Sequence, residues 1–438
     1  VYESFRGRRA SLLLAGILLG ILMGALDNLI VVTALPQIVR DLSATNGVAF
    51  VVSAYLIAAT VATPIFGKLS DHFSRRDFFV LGLLLFIGGS ILSGLSQSLP
   101  ELIAFRAIQG FGSGAFFPIG LSILAVKFSP PARARMTGIF SSVFGIATIV
   151  GPLIGSAIVD TTTWRWVFYV NIPVGIAAIV VIRAAVGPLR PAQPKAFDTA
   201  GALLLSGWVG TFMLALVENS DNGWSFSDPP ILGLLAAAVT IFVAFVLYEL
   251  RVAEPVVPVR MFVQRVVVAS SSIAFLRGIV LVSATTFVSI LVAFVLGGST
   301  DTIRDMLYWF IGPMILGSIA GGSLLTRLSY RTISAVGMAV MALGAFLLST
   351  FSGATPLWSF AFAHAVSPFG LHFTVGLISG GLALDLIPLG FGVGFTFAAT
   401  SISIQYAVPP KDIGAATSLV QFLGNLGGAI GLASLSSY

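Results

Sequence analysis

The chain runs to 438 residues, of which 57% are hydrophobic and 9% charged, with a formal net charge of +6 and no cysteine. A soluble domain carries about 25% charged residues, so most of this surface must face lipid rather than water. The absent cysteines exclude a disulfide framework, cysteine-ligated zinc and iron–sulfur clusters. The basic residues come in twos and threes between apolar runs, which excludes a nucleic-acid-binding patch.

A helix needs about 20 apolar residues to cross the hydrocarbon core. Along the chain that rule predicts spans at 11–39, 48–67, 78–97, 100–126, 136–159, 165–187, 199–217, 230–250, 266–296, 306–326, 333–351, 380–407 and 413–435. The first run is too long for a signal-peptide core and carries Asp27, so it reads as a span. Residues 352–379 form a further apolar stretch broken by Pro356, Pro368 and several glycines. It reads as a re-entrant or interfacial segment, or as extended helix ends.

Orientation follows from lysine and arginine. All 23 fall at the amino terminus or on the even-to-odd links except Arg40, Arg106, Arg165, Arg277 and Arg304. The amino terminus is therefore expected in the cytoplasm. An even number of spans would return the carboxyl end to that side, so a fourteenth span is expected beyond Tyr438.

Two patterns recur. Gly67-Lys-Leu-Ser-Asp-His-Phe-Ser-Arg-Arg76 resembles Gly322-Ser-Leu-Leu-Thr-Arg-Leu-Ser-Tyr-Arg331, and Pro130-Pro131 before a glycine-rich span resembles Pro409-Pro410 before another. The marks lie farther apart in the second half, which expects an insertion there, at 352–379. Internal repeats of this kind mark secondary transporters.

Five motifs in order carry a family resemblance. They are Leu26-Asp27 with Val31 and Ala34-Leu35-Pro36; the segment Gly67 to Arg76; Arg106 with Gln109-Gly110; Gly145 with Gly151-Pro152 and Gly155; and Trp164-Arg165-Trp166 with Phe168, Asn171 and Pro173. Together the chain resembles the major facilitator superfamily, in its fourteen-span drug:proton antiporter branch. His72 and Ser74 depart from the usual Arg and Gly of the second motif. The resemblance implies an all-α polytopic membrane fold of two six-helix bundles and two linker helices. The divisions are an amino-terminal bundle at 1–190, linkers at 191–265 and a carboxyl-terminal bundle at 266–438.

Asp27 is the main chemical candidate. A charged Asp at the bilayer centre costs about 2.5–3.5 kcal/mol on insertion scales, and burial disfavours a carboxylate anion. Such a group can load and release a proton, although it can also be a buried anchor to a neighbouring helix. Arg106 is the matching cation; the resemblance implies that it faces a central cavity beside Asp27, and the alternative is an arginine capping its helix end. Asn28 and Gln109 are candidates for the same cavity. Gly67, Asp71, Arg75 and Arg76, on the short loop between the second and third spans, resemble a cytoplasmic gate held by charge pairing and a helix dipole. The same residues also fix topology.

Gly145, Gly151, Pro152 and Gly155 read as the antiporter helix motif, or as small-residue packing of the GxxxG kind. Arg277 falls inside the 266–296 run. Its candidate partners are Asp27, Asp385 and an anionic substrate group, but snorkelling from an early helix position is the preferred reading. Gly110-Phe-Gly112-Ser-Gly114 lies inside a membrane run and reads as packing rather than a dinucleotide site. His364 and His372 read as interfacial, and Glu218, Asp221 and Asp228 as solvated.

No GxxxxGK(S/T) phosphate loop is present, so ATP is not the direct fuel, and no HExxH, Cys–His cluster or nucleophile elbow suggests an enzyme. The expectation is a monomeric, non-enzymatic, proton-coupled exporter of lipophilic or cationic small molecules in the inner or plasma membrane. It needs no cofactor beyond the proton gradient. A lipid or lipid-conjugate exporter on the same fold is the alternative.

Overall fold

The computed structural model describes residues 8–43, 49–128, 130–185, 187, 197–221, 227–292, 300–325, 327–349, 361–366, 372–377, 382–409 and 412–436. Some side chains within these ranges, those of Asn28 and Pro152 and the surroundings of Gly145 among them, lie outside the description. So does most of the 352–379 stretch, including Pro356 and Pro368.

The fold is a bundle of long helices: α1 (Arg8–Asp41), α2 (Ala49–His72), α3 (Arg75–Leu95), α4 (Leu99–Ser113), α5 (Phe116–Lys127), α6 (Pro130–Thr161), α7 (Trp166–Tyr169), α8 (Asn171–Ala185), α9 (Thr199–Asp221), α10 (Pro229–Glu249), α11 (Arg265–Ile290), α12 (Thr300–Leu324), α13 (Tyr330–Ser349), α14 (Leu382–Ala407) and α15 (Ile413–Ser436). Among the described residues, 12 stretches are long and apolar enough to cross a membrane, with α4–α5 and α7–α8 each making one. The run expected at 136–159 falls in α6, which is 32 residues long but whose side chains are described only in part.

The burial pattern is that of a protein solvated by lipid. Leu84, Leu95, Val180 and Leu203 are exposed, whereas Asp27, Ser90, Arg106 and Gln109 are fully buried. Lipid tails are as apolar as leucine, so association rests on close packing and polar contacts between helices rather than on burying large apolar side chains. On α3 the buried face holds small residues, Gly82, Gly89, Ser90, Ser93 and Gly94, interleaved with Phe79, Leu83, Phe86 and Ile87 that fill the space between the helices.

Two glycine-dependent contacts show the internal symmetry. A Cβ on Gly155 of α6 would strike Thr33 Oγ1 and come within 3.0 Å of the Ile30 carbonyl on α1. A Cβ on Gly431 of α15 would come within 2.8 Å of the Ile279 carbonyl on α11 and 2.7 Å of Ser283 Oγ. The glycine-rich helix of each half therefore packs against that half's first helix in the same way. Gly110, Gly112 and Gly114 likewise meet the backbones of α2 and α3, which is the packing role expected for them.

The 352–379 stretch differs from expectation. Ala361–Val366 (β1) and His372–Leu377 (β2) pair antiparallel, Ala361 opposite Leu377 and Val366 opposite His372. These are the only strands among the described residues. The pairing satisfies the facing backbone groups of the two strands. The side chains of His364 and His372 lie outside the description.

Candidate functional site

Asp27 and Arg106 form a buried ion pair between α1 and α4, each fully shielded from solvent. The carboxylate has two further donors. Gln109 Nε2 donates to Oδ1 at 2.7 Å, and Asn171 Nδ2, at the start of α8, donates to the same oxygen at 2.8 Å. Gln109 lies one helical turn past Arg106, so both reach one neighbour. Its amide carbonyl accepts Arg106 Nη1 at 2.8 Å while its nitrogen also donates to Ser90 Oγ on α3 at 2.6 Å. Asn171 Nδ2 reaches the same hydroxyl at 3.2 Å.

Arg106 is held from the other side by α2. Its Nε donates to the Val51 carbonyl at 3.1 Å, and its guanidinium lies 4.3 Å from the Tyr55 ring centroid. Gly110 makes this possible, because a Cβ there would collide with the Tyr55 backbone. Tyr55 in turn donates its hydroxyl to the Gly24 carbonyl at 3.1 Å.

The arrangement separates the two readings of Arg106: it does not cap a helix end but pairs with Asp27, as one of them expected. The expected cavity is corrected, because no open chamber reaches the pair and neither residue has any exposed surface. The network also includes Asn171, Ser90 and Tyr55, which sequence reading did not single out as partners. Asn171 stood in the fifth motif, so its signal was present, but nothing along the chain says that α8 returns to the depth of Asp27.

The expected gate residues sit on helix ends rather than on a loop, with only Phe73 and Ser74 between α2 and α3. A helical frame orients the carboxylate. Asp71 accepts Arg75 Nη2 at 3.0 Å and the backbone N–H groups of Gly414 and Ala415, in the first turn of α15, at 3.0 and 2.8 Å. The positive end of a helix dipole and a guanidinium thus share one anion. Arg75 Nε also donates to Ser122 Oγ on α5 at 2.7 Å.

Gly67 lets α2 and α15 meet, since a Cβ there would enter the Ser418 side chain. Arg76 stands apart and pairs with Asp77. His72 lies 3.8 Å from Glu254, which Lys68 also reaches at 3.3 Å, and Ser74 caps α3 by accepting the Asp77 N–H at 3.3 Å.

Gly151 and Gly155 face α1 beside the Asp27 segment; Gly151 packs on Leu29. Gly145 and Pro152 lie on α6, without described surroundings. Asp385 sits in the first turn of α14, half-buried. Arg277 does not snorkel. It is 4% exposed, donates to Thr400 Oγ1 at 2.9 Å and lies 4.3 Å from the Phe397 ring centroid. Thr400 is fifteen residues from Asp385 on the same helix, about 22 Å at 1.5 Å per residue, so Asp385 is not its partner. Asp27, committed to Arg106, is not its partner either.

A bundle of helices long and apolar enough to cross a membrane, with a charge network buried between them, defines a polytopic membrane protein. The chain belongs to the Major Facilitator Superfamily, whose family model matches residues 17–432. It is 34% identical over 419 residues to Multidrug resistance protein 3 of Bacillus subtilis, covering 95% of this chain and 77% of that protein. It is 32% identical over 436 residues to the Tetracenomycin C resistance and export protein of Streptomyces glaucescens, covering 99% and 76%. Among solved structures, the human organic anion transporter MFSD10 superposes with a TM-score of 0.66 at 15% identity, covering 99% of this chain and 94% of that one. The proton:xylose symporter XylE superposes at 0.65 and 13%, covering 97% and 87%. These two show the fold.

Proposed function

We propose that the protein is a proton-coupled exporter, an antiporter that expels hydrophobic or cationic small molecules by alternating access. The observation that carries this reading is the Asp27 network. All three donors on the carboxylate suit an anion, whereas a protonated Asp27 needs an acceptor for its O–H. Protonation therefore breaks the contact with Arg106 and frees α1 from α4, which links proton uptake to helix rearrangement. The relatives named for multidrug resistance and for export support the direction of transport.

The basic residues Lys68, Arg75, Arg76 and Lys127 gather at one end of the bundle, which supports a cytoplasmic placement of that end and of the amino terminus in the cell membrane. The Asp71 latch then closes the cytoplasmic side. Bundles at 1–190 and 266–438, with linkers at 191–265, fit the packing of α9 and α10 as a hairpin against α2 and α15. The fourteen-span branch and a monomeric state belong to the same reading. The runner-up, export of lipids or lipid conjugates, rests on an apolar cleft lined by Phe50, Ile57, Val61, Phe111 and Leu214, which opens sideways between α2, α4 and α9.

The test is ethidium efflux from proteoliposomes under an imposed pH gradient. Asp27→Asn is expected to abolish gradient-driven efflux; efflux by that variant at the wild-type rate rejects the assignment.

A further inference from the structure

We propose that Arg277 is a binding site for an anionic group on the transported molecule, so that the cargo includes amphiphilic carboxylates, sulfonates or phosphates. The proposal rests on the export reading and extends its substrate class to anionic amphiphiles.

The two buried arginines within membrane spans differ in their partners. Arg106 meets a carboxylate, an amide carbonyl, a backbone carbonyl and an aromatic face. Arg277 meets one neutral hydroxyl and one ring, and no carboxylate stands within ion-pair distance of it among the described residues. A guanidinium carries five N–H donors. Thr400 supplies one acceptor, while its own hydroxyl is turned to the Thr396 and Phe397 carbonyls at 3.0 Å each. Arg277 is the twelfth residue beyond Arg265 in the span Arg265–Val288, which places it at the midplane. A cation at that depth without a counter-charge is costly, and intramembrane cations mark ligand or ion pathways. Asp27 and Arg106 cancel each other, so an incoming anion makes the site neutral.

Two relationships place Arg277 where cargo passes. The first is symmetry. Gly155 sits over Ile30 as Gly431 sits over Ile279, so counting back from the matched contacts sets Arg277 at the place of Asn28, next to Asp27. Arg277 thus occupies the depth in the second half that the Asp27 network occupies in the first. The second is the seam between halves. Phe397, which stacks on Arg277, meets Phe117 of α5 edge-on at 5.4 Å. When the halves part, this contact opens and exposes the guanidinium to the chamber between them, the usual place for substrate in such folds.

Two probes and two variants test the proposal: radiolabelled taurocholate, an amphiphilic sulfonate, and ethidium, a cation, with Arg277→Gln and Thr400→Asp. Binding to purified protein without a gradient and transport into inverted vesicles are both measured. Arg277→Gln is expected to lower the taurocholate-to-ethidium ratio about tenfold or more in both measurements, the value of one charge-assisted hydrogen bond. Thr400→Asp supplies an internal counter-ion and is expected to lower the same ratio while preserving thermal stability. Wild-type protein that neither binds nor moves taurocholate overturns the proposal, as does an unchanged ratio in a folded Arg277→Gln protein. Arg277-dependent taurocholate binding with no transport of either probe sinks the export reading and leaves the anion site standing.

Discussion

The Asp71 carboxylate accepts the Gly414 backbone N–H at 3.0 Å across 343 residues of chain, joining the end of α2 to the start of α15. One side chain from the first half thereby caps a helix of the second. Asp71→Asn keeps the size of the group but removes its charge, which weakens both the Arg75 pair, worth about 1.5–3 kcal/mol, and the dipole contact, worth up to about 2 kcal/mol. The expected outcome is a shift of roughly tenfold or more toward the state open at this end. Spin-label distances between the ends of α2 and α15 in the two proteins measure it, and an unchanged distance distribution counts against the latch.

Asp27 and Arg106 are expected to behave as one energetic unit. Removing one partner of a buried pair leaves an uncompensated charge and costs about 3–5 kcal/mol, whereas replacing both is far milder. Thermal denaturation in detergent is expected to show Asp27→Asn and Arg106→Gln each strongly destabilised. The double variant is expected to fall well short of their sum. Additive losses mean that the pair is not coupled.

Asn171 gives the carboxylate a donor from a third helix. Asn171→Ala removes a hydrogen bond to a charged acceptor, a loss of about 1.5–3 kcal/mol. Asn171→Asp instead sets a second carboxylate against Oδ1 of Asp27 and is expected to reduce the yield of folded protein sharply. Size-exclusion profiles and denaturation midpoints separate the two variants; equal behaviour argues that Asn171 does not touch Asp27 in solution.

The α1–α6 contact depends on having no side chain at Gly155. Gly155→Val drives methyl groups into the Ile30 backbone and is expected to cost about 1–3 kcal/mol from overpacking, with loss of export. Gly88→Ala is the matched control, since no heavy atom of a neighbouring element lies within 4 Å of a Cβ there. Denaturation and efflux assays on both variants check it, and a tolerant Gly155→Val protein means that the helices are not in contact.

The membrane class, the positions of the helices and the existence of a buried acid were legible along the chain, because each depends on local composition. A carboxyl among apolar residues is visible as soon as the run is read. The contacts of the segment from Gly67 to Arg76 were half legible: its charges were visible, but the N–H donors that Asp71 finds on α15 were not. The reading of Arg277 as snorkelling failed because position along an apolar run gives depth but not what a side chain meets; Arg277 turns to Thr400 and Phe397 of α14. Of the readings of the 352–379 stretch, extended helix ends fail at 361–366 and 372–377, which pair as strands; their pairing joins two separate segments and is not written in local composition.

By itself, the order of residues determined that this is a many-helix membrane protein with a doubled plan and an acidic residue in its first span, for hydropathy and repeats are properties of the chain alone. Only the tertiary structure decided which charges are neutralised. Asp27 finds Arg106, Gln109 and Asn171, Asp71 finds α15, and Arg277 finds no carboxylate among the described residues. Pairing in a medium without water depends on which helices touch, and those contacts join residues that lie tens to hundreds of positions apart.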